Sequence, residues 1–411
     1  MKKFLSIFLC TTILISSTGC STQNQTSSGK SLSKETVLTL ALREGTYSNV
    51  ISDCLSTFEE ENNIKCQILE LSENDLYQSI ASSNQKSSID ICMVDSPWVT
   101  EFTSNNILTN LSELGYSFDD DIIPATTDIA YYEGNIYLTP YFGNVSVLMY
   151  NTNIINAAGY ENSSIDNLDD IMTICQYAQD NGKYGFMYRN DSNSNVVVDF
   201  LPFLLSYGGW LVDVDNNPTI NTESFKNAIS FYSELIKTGQ GTTKEDVINA
   251  LYGENAAMAI GWPGWYTKTD DDTVDYCAIT GKVSKGTAAY NANVYGIWGL
   301  GIVNSSENKE LSYKLLQYLM DREVQKSTID NGGVPCRYSC LMDSDVLAKY
   351  PQYKSVCEAL ESGIYRPNIT YWNDFVEILG EKITEIANGE ITIDQGLEDA
   401  QAALDIIANK D

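Results

Sequence analysis

The feature that most constrains this chain is the alternation of elements over its first folded sixty residues. Val37–Leu42 alternates apolar and small residues and reads as a strand. Asn49–Glu61 follows with apolar positions at 50, 51, 54, 55 and 58, the spacing of one helix face. Ile64–Leu71 reads as a second strand, Asp75–Ser82 as a short helix, and Ile89–Val94 as a third, wholly apolar strand. Strand, helix, strand, helix, strand implies a parallel sheet with helices on both faces. Such sheets bind ligands outside the carboxyl ends of their strands. Here those ends are Arg43-Glu44 and Asp95-Ser96-Pro97-Trp98.

The rest of the chain continues in the same α/β manner. Tyr137–Tyr141 and Val145–Tyr150 are strand-like, with Pro140 and Gly143 nearby. Helical periodicity marks residues 166–180, 199–207 and 222–237, while Asp191–Asn195 reads as a polar loop. Ala256–Gly261 is a buried strand closed by Trp262-Pro263-Gly264-Trp265-Tyr266. Helical patterns return at 307–321, 344–361, 371–388 and 394–409. No internal repeat and no long internal linker is visible.

The N-terminus stands apart from this body. Met1-Lys2-Lys3 precedes an apolar run from Phe4 to Ile15, too short to span a bilayer and read as a signal peptide over 1–19. Ser17-Thr18-Gly19-Cys20 resembles a bacterial lipobox, with Cys20 as the lipidated residue and Ser17 where leucine is usual. Residues 20–34 carry Ser, Thr, Gln and Lys and read as a flexible tether. The expected location is therefore the extracytoplasmic face of a bacterial cell membrane, held by a lipid anchor.

Composition excludes several functions. The 411 residues carry a formal charge of −30, which argues against binding a phosphate backbone. There is no histidine, which removes the commonest general base, every Ser-His-Asp or Cys-His constellation and every His-ligated metal site. Eight cysteines follow Cys20, an even number that export would allow to pair. Cys336-x3-Cys340 lacks the second pair that a zinc site needs. No cofactor and no metal is expected.

The order of several motifs resembles the extracellular solute-binding proteins of ABC transporters, in the sugar-binding branch that includes the maltose-binding proteins. Ser88-Ile89-Asp90-Ile91, Tyr132 through Pro140 (YEGNIYLTP) and Leu148-Met149-Tyr150-Asn151 are similar to that family's motifs. So are Ala158-Gly159, Gly253 through Met258 (GENAAM), Gly332-Gly333-Val334-Pro335 and Glu390 through Leu397. The resemblance implies an α/β, two-lobed, periplasmic-binding-protein-like fold with a ligand cleft between the lobes. It places residues 35–143 and 281–333 in lobe 1, and 144–280 and 334–411 in lobe 2. Chain crossings are then expected near Pro140–Val147, Cys277–Gly281 and Asn331–Arg337. It implies a monomer that captures a carbohydrate, delivers it to the transmembrane subunits of an ABC permease, and is not an enzyme.

A sugar presents apolar C–H faces and a rim of hydroxyls, so aromatic rings beside carboxylates, amides and arginine suit it. Candidates for that role are Glu44, Asp95 and Trp98 at strand ends of lobe 1, and Tyr141 and Asn144 at the first crossing. Trp262, Trp265 and Tyr266 end a strand of lobe 2. Tyr295 and Trp298 stand where the resemblance puts a cleft-facing loop, and Arg337 and Trp372 come from the third crossing and the helix after it. Without a visible cluster of arginines, the expected ligand is a neutral or weakly polar carbohydrate, bound with little dependence on salt. Three rivals stand beside this reading: a receptor for a peptide, polyamine or metal; a secreted carbohydrate-active enzyme, which would need an organised pair of carboxylates; and a surface-adhesion lipoprotein.

Overall fold

The computed structural model describes residues 36–84, 88–161, 164–266, 273–288 and 292–409. The signal peptide, Cys20 and the tether lie outside these. In chain order the strands of the two large sheets are β1 (Thr36–Arg43), β2 (Ile64–Leu71), β3 (Ile91–Asp95), β4 (Thr139–Phe142), β5 (Val147–Asn151), β6 (Tyr184–Arg189), β7 (Gln240–Thr242), β8 (Ala256–Gly261), β9 (Val274–Cys277) and β10 (Trp298–Ile302). They form two five-stranded sheets, ordered β2-β1-β3-β10-β4 and β9-β5-β8-β6-β7.

The expected parallel core is present, since β1 runs parallel to both β2 and β3. Both sheets are nonetheless mixed. β10 is antiparallel to β3 and β4, and β5 is antiparallel to β8 and β9. The reversals follow from the chain's route: β4 belongs to the first sheet and β5 to the second, and β9 and β10 return the chain the other way. β3, β4, β5, β8 and β10 are buried along their whole length, so they read as apolar runs without a solvent face.

Three helices matter for the site. α1 (Glu73–Ala81) is capped by Ser72, whose hydroxyl accepts from Asp75 N at 3.2 Å, and it buries Leu76 and Ile80. α2 (Asn193–Ser206) begins inside the stretch that reads as a loop. Ser192 accepts from Asn195 N and starts the helix, and its polar first turn hides the periodicity that follows. α3 (Lys244–Tyr252) is capped by Thr243. The C-terminal helices α4 (Trp372–Ala387) and α5 (Ile393–Ala408) pack on each other, α4 lying against α2.

The segments that join the sheets pair with one another. Ser146 N donates to Val294 O at 2.8 Å and Gly296 N to Asn144 O at 2.9 Å. Tyr295 N donates to Ile364 O at 3.0 Å and Ile364 N to Asn293 O at 2.9 Å. Residues 143–146, 293–296 and 363–366 thus form a short three-stranded ladder. Its third member lies beyond the Asn331–Arg337 position expected for the last crossing. From Cys336 the chain first stays beside β4's neighbourhood, with Ile123 N donating to Cys336 O at 2.9 Å and Tyr365 Oη donating to Ala125 O.

All eight described cysteines are free thiols. No helix among the described residues is long and apolar enough to cross a membrane.

Candidate ligand-binding cleft

The carboxyl ends of β1, β3 and β8 and the amino ends of α2 and α3 converge on one cleft. Its inner chamber is narrow, about 70 Å³, below the usual range of about 300–1,000 Å³ for small-molecule sites, whereas the outer chamber beside it holds about 620 Å³. Trp262, Trp265 and Trp298 form its apolar wall, with Tyr47 and Gly296. A second, outer chamber adjoins it through shared residues Arg43, Glu73, Ser194 and Asn195, and adds Glu44, Trp98 and Trp372.

Local chemistry fixes the aromatic wall. β8 ends at Gly261, and Pro263 turns the chain into the single 3₁₀ turn that carries Trp265. A Cβ at Gly261 would lie 3.1 Å from Trp265 Cε3, and one at Gly296 would lie 2.5 Å from Trp262 Cζ3. Each indole therefore rests on backbone that only glycine leaves open. Trp298 opens β10 opposite Asp95 and meets Trp98 edge to face at 5.3 Å. Tyr47 packs on Phe142 and Trp298 at 4.6 and 5.5 Å. Burial pushes its hydroxyl up to about 12, and Asn144 Nδ2 donates to that oxygen at 2.9 Å.

The charged groups are organised as pairs. Arg366 gives both terminal nitrogens to Asp95, at 2.9 and 2.5 Å, and its Nε to Tyr295 O at 3.2 Å. Ser96 N also donates to Asp95. Burial raises the Asp95 carboxyl above its ordinary value, and Arg366 opposes that shift without reversing it. Arg189 gives Nε and Nη2 to Asp199, which also accepts from Arg189 N at 2.9 Å, while its Nη1 donates to Asn195 Oδ1. That guanidinium lies 5.2 Å from the Trp265 ring centroid. Arg43 pairs with Glu73 at 3.2 Å and lies 5.8 Å from Trp298. Lys244 reaches the other named ring, Trp265, at 5.9 Å.

Of the residues singled out in the sequence, Asp95, Trp262, Trp265 and Trp298 line the inner chamber, and Glu44, Trp98 and Trp372 the outer one. The other five do not line either. Tyr141 points into the first sheet's core with its hydroxyl buried. Asn144 stands behind Tyr47. Tyr266 packs on Tyr276 and Tyr350. Tyr295 is buried against Tyr365 at 4.5 Å and donates to Leu360 O. Arg337 is held by Asp119, Asp121 and Met320 O on a different face of the protein. Sequence reasoning passed over Tyr47, Glu73, Arg189, Lys244 and Arg366. Only Tyr47, one helical turn after a strand end, carried a local signal.

Among the described residues no group of three or more Cys, Asp or Glu could hold a metal ion. The paired carboxylates of the cleft are tied to arginines, and both oxygens of Asp95 already accept hydrogen bonds.

Comparison with known proteins agrees with this architecture. Residues 42–326 match the family described as bacterial extracellular solute-binding protein. A probable ABC transporter-binding protein of Deinococcus radiodurans is 24% identical over 319 residues, 71% of this chain and 72% of its own length. The galactooligosaccharide-binding protein of Bacillus subtilis is 22% identical over 423 aligned positions, covering 97% of this chain and 96% of its own. Among solved structures, the maltose-bound MalE3 of T. maritima has a TM-score of 0.80 at 20% identity, covering 90% of this chain and all of that one. A ribitol complex of an ABC transporter solute-binding protein from Agrobacterium radiobacter K84 has a TM-score of 0.79 at 20% identity, covering 90% and 98%. The two-lobed α/β architecture, the cleft between its sheets and the match over most of the sequence make this chain a member of the bacterial extracellular solute-binding protein family.

Proposed function

We propose that this protein is the substrate-binding lipoprotein of an ABC importer and that it captures a mono- or oligosaccharide in the cleft. The observation that carries the reading is the wall of indoles, Trp262, Trp265 and Trp298 inside and Trp98 and Trp372 outside, set among fixed polar heads. Rings of this kind cover the C–H faces of a sugar, and the polar rim suits its hydroxyls. The relatives support it: one is named for galactooligosaccharide, and two similar structures hold maltose and ribitol. On this reading the lobes close by rotation about the ladder at 143–146, 293–296 and 363–366. The protein acts as a monomer that presents the closed form to permease subunits.

A thermal-shift series against mono- and oligosaccharides tests the reading. A ligand bound only by the folded protein at about 100 times its Kd adds about 2.7 kcal/mol of stability. The expected result is a saturable rise in melting temperature, with the sugar recovered chemically unchanged after long incubation. Conversion of the sugar would instead make the protein an enzyme.

The lipid anchor belongs to the same proposal and rests on the lipobox-like Ser17-Thr18-Gly19-Cys20. Cys20→Ser should move the protein from the membrane fraction to the soluble fraction. A processed, unacylated variant that stays with the membrane would contradict anchoring through Cys20.

A further inference from the structure

Four cationic side chains line the inner chamber: Arg43, Arg189, Lys244 and Arg366. Three are already neutralised. Arg366 is held by Asp95 at 2.5 Å, Arg189 by Asp199 at 2.5 Å and Arg43 by Glu73 at 3.2 Å. The donors of Arg366 and Arg189 are spent on those carboxylates and on Tyr295 O and Asn195. Lys244 is different. Among the described residues it has no carboxylate within the 4.0 Å that defines an ion pair, and its ammonium lies over the face of Trp265.

We propose that the cleft selects carbohydrates bearing a carboxylate, and that Lys244 is the residue that pairs with it. This inference rests on the carbohydrate reading above and narrows it.

The surroundings of Lys244 point the same way. It is half-buried at the first position of α3. Burial pulls its ammonium below the ordinary lysine value, Arg43 and Arg189 pull it further, and Glu245 and Glu44 oppose them. Glu44 and Glu245 are exposed, so water and salt screen them. A charge so placed is costly until an anion joins it. The amino end of α2 adds to the field. Ser194 and Asn195 of its first turn line the same chamber, and that turn contains no acidic residue. The partial positive charge at the start of a helix favours an anion nearby. Asp191, just before the helix, is exposed and donates nothing to the inner chamber beyond accepting from Asn195 Nδ2.

The charge count distinguishes a carboxylate from a phosphate. One unmatched positive charge balances a monoanion. A phosphate dianion would leave excess negative charge beside Glu73 and Asp95, which like-charge repulsion disfavours. A neutral sugar, conversely, would shut Lys244 inside the closed cleft without a counter-charge. The overall charge of −30 does not forbid an anionic ligand, because surface charges farther than about 10 Å are screened at 0.1 M salt.

Calorimetric titration of the full folded chain with sodium D-galacturonate and D-glucuronate, against D-galactose and D-glucose, tests the inference. Hydrogen bonds to charged groups are worth about 1.5–3 kcal/mol, which is roughly ten- to a hundred-fold in affinity. At least one uronate should bind at least about tenfold more tightly than its neutral parent, and that advantage should shrink as salt is raised. Lys244→Met keeps most of the apolar stem and should remove the advantage while leaving the melting temperature of the free protein near that of wild type. Two results would overturn the assignment: a neutral sugar bound as well as its uronate, or a uronate preference that survives Lys244→Met. The first of these leaves the carbohydrate reading standing. Failure of every sugar, acidic and neutral, to bind would overturn both.

Discussion

Replacing Asp199 by alanine is expected to remove about 3–5 kcal/mol of folding stability and to abolish tight ligand binding. Asp199 is 1% exposed on α2, and Arg189 is 7% exposed at the end of β6. The carboxylate accepts from Arg189 Nε, Nη2 and backbone N, so it fixes both the strand end and the guanidinium. Without it, a buried cation faces Trp265 and Asn195 with nothing to offset the cost of its desolvation. The wall that carries Trp265 and Lys244 would then lose its support. Denaturant unfolding of the variant measures the stability loss, and titration measures the affinity. The double variant Asp199→Ala, Arg189→Met should recover part of the stability, because it removes the orphaned charge. A loss below about 1 kcal/mol in the single variant would mean that the pair is solvated in solution.

The second large effect is expected at Trp262. Its indole lines the inner chamber, is 7% exposed and lies against the Gly296 backbone. Trp265, by contrast, carries Arg189 and Lys244 over its ring. Trp262 is therefore the less encumbered platform for a sugar face. Trp262→Ala deletes that platform and admits water. Aromatic contact beyond area burial is worth about 0.5–1.5 kcal/mol, and the lost apolar area adds to it at about 25 cal/mol per Å². Affinity should fall by about tenfold or more, with circular dichroism unchanged. Trp265→Ala should weaken binding as well, and should also lower stability through the two cations it covers. If both variants bind sugar as tightly as wild type, the indoles serve packing alone.

The parts of this fold that were legible in the sequence are those governed by local pattern. β2 and β8 coincide with the strands read from the sequence over Ile64–Leu71 and Ala256–Gly261. The helix expected over 49–61 is two helices, 46–52 and 55–62, because the chain breaks at Asp53-Cys54 while the apolar period continues across the break. The indoles were legible as candidates because a Trp-Pro-Gly-Trp turn after a buried strand leaves little room to bury both rings. The charge arrangement was not legible. Arg366 meets Asp95 across 271 positions, and Arg337 meets Asp119 across 218. No spacing in the sequence distinguishes these two arginines, yet one lines the cleft and the other clamps a distant loop. Tyr141 and Tyr295 misled for a related reason. A tyrosine near a crossing fits an open cleft and a packed interior equally well, and here Tyr141 is buried in the first sheet's core and Tyr295 against Tyr365.

Intrinsic fluorescence tests the central claim most directly. Five of the six tryptophans, Trp98, Trp262, Trp265, Trp298 and Trp372, line the two chambers, and Trp210 does not. Titration with a sugar that raises the melting temperature should give a saturable change in tryptophan emission, and Trp210→Phe should retain that change in full. A sugar that stabilises the protein while leaving the emission of these five indoles unaltered would contradict binding in this cleft.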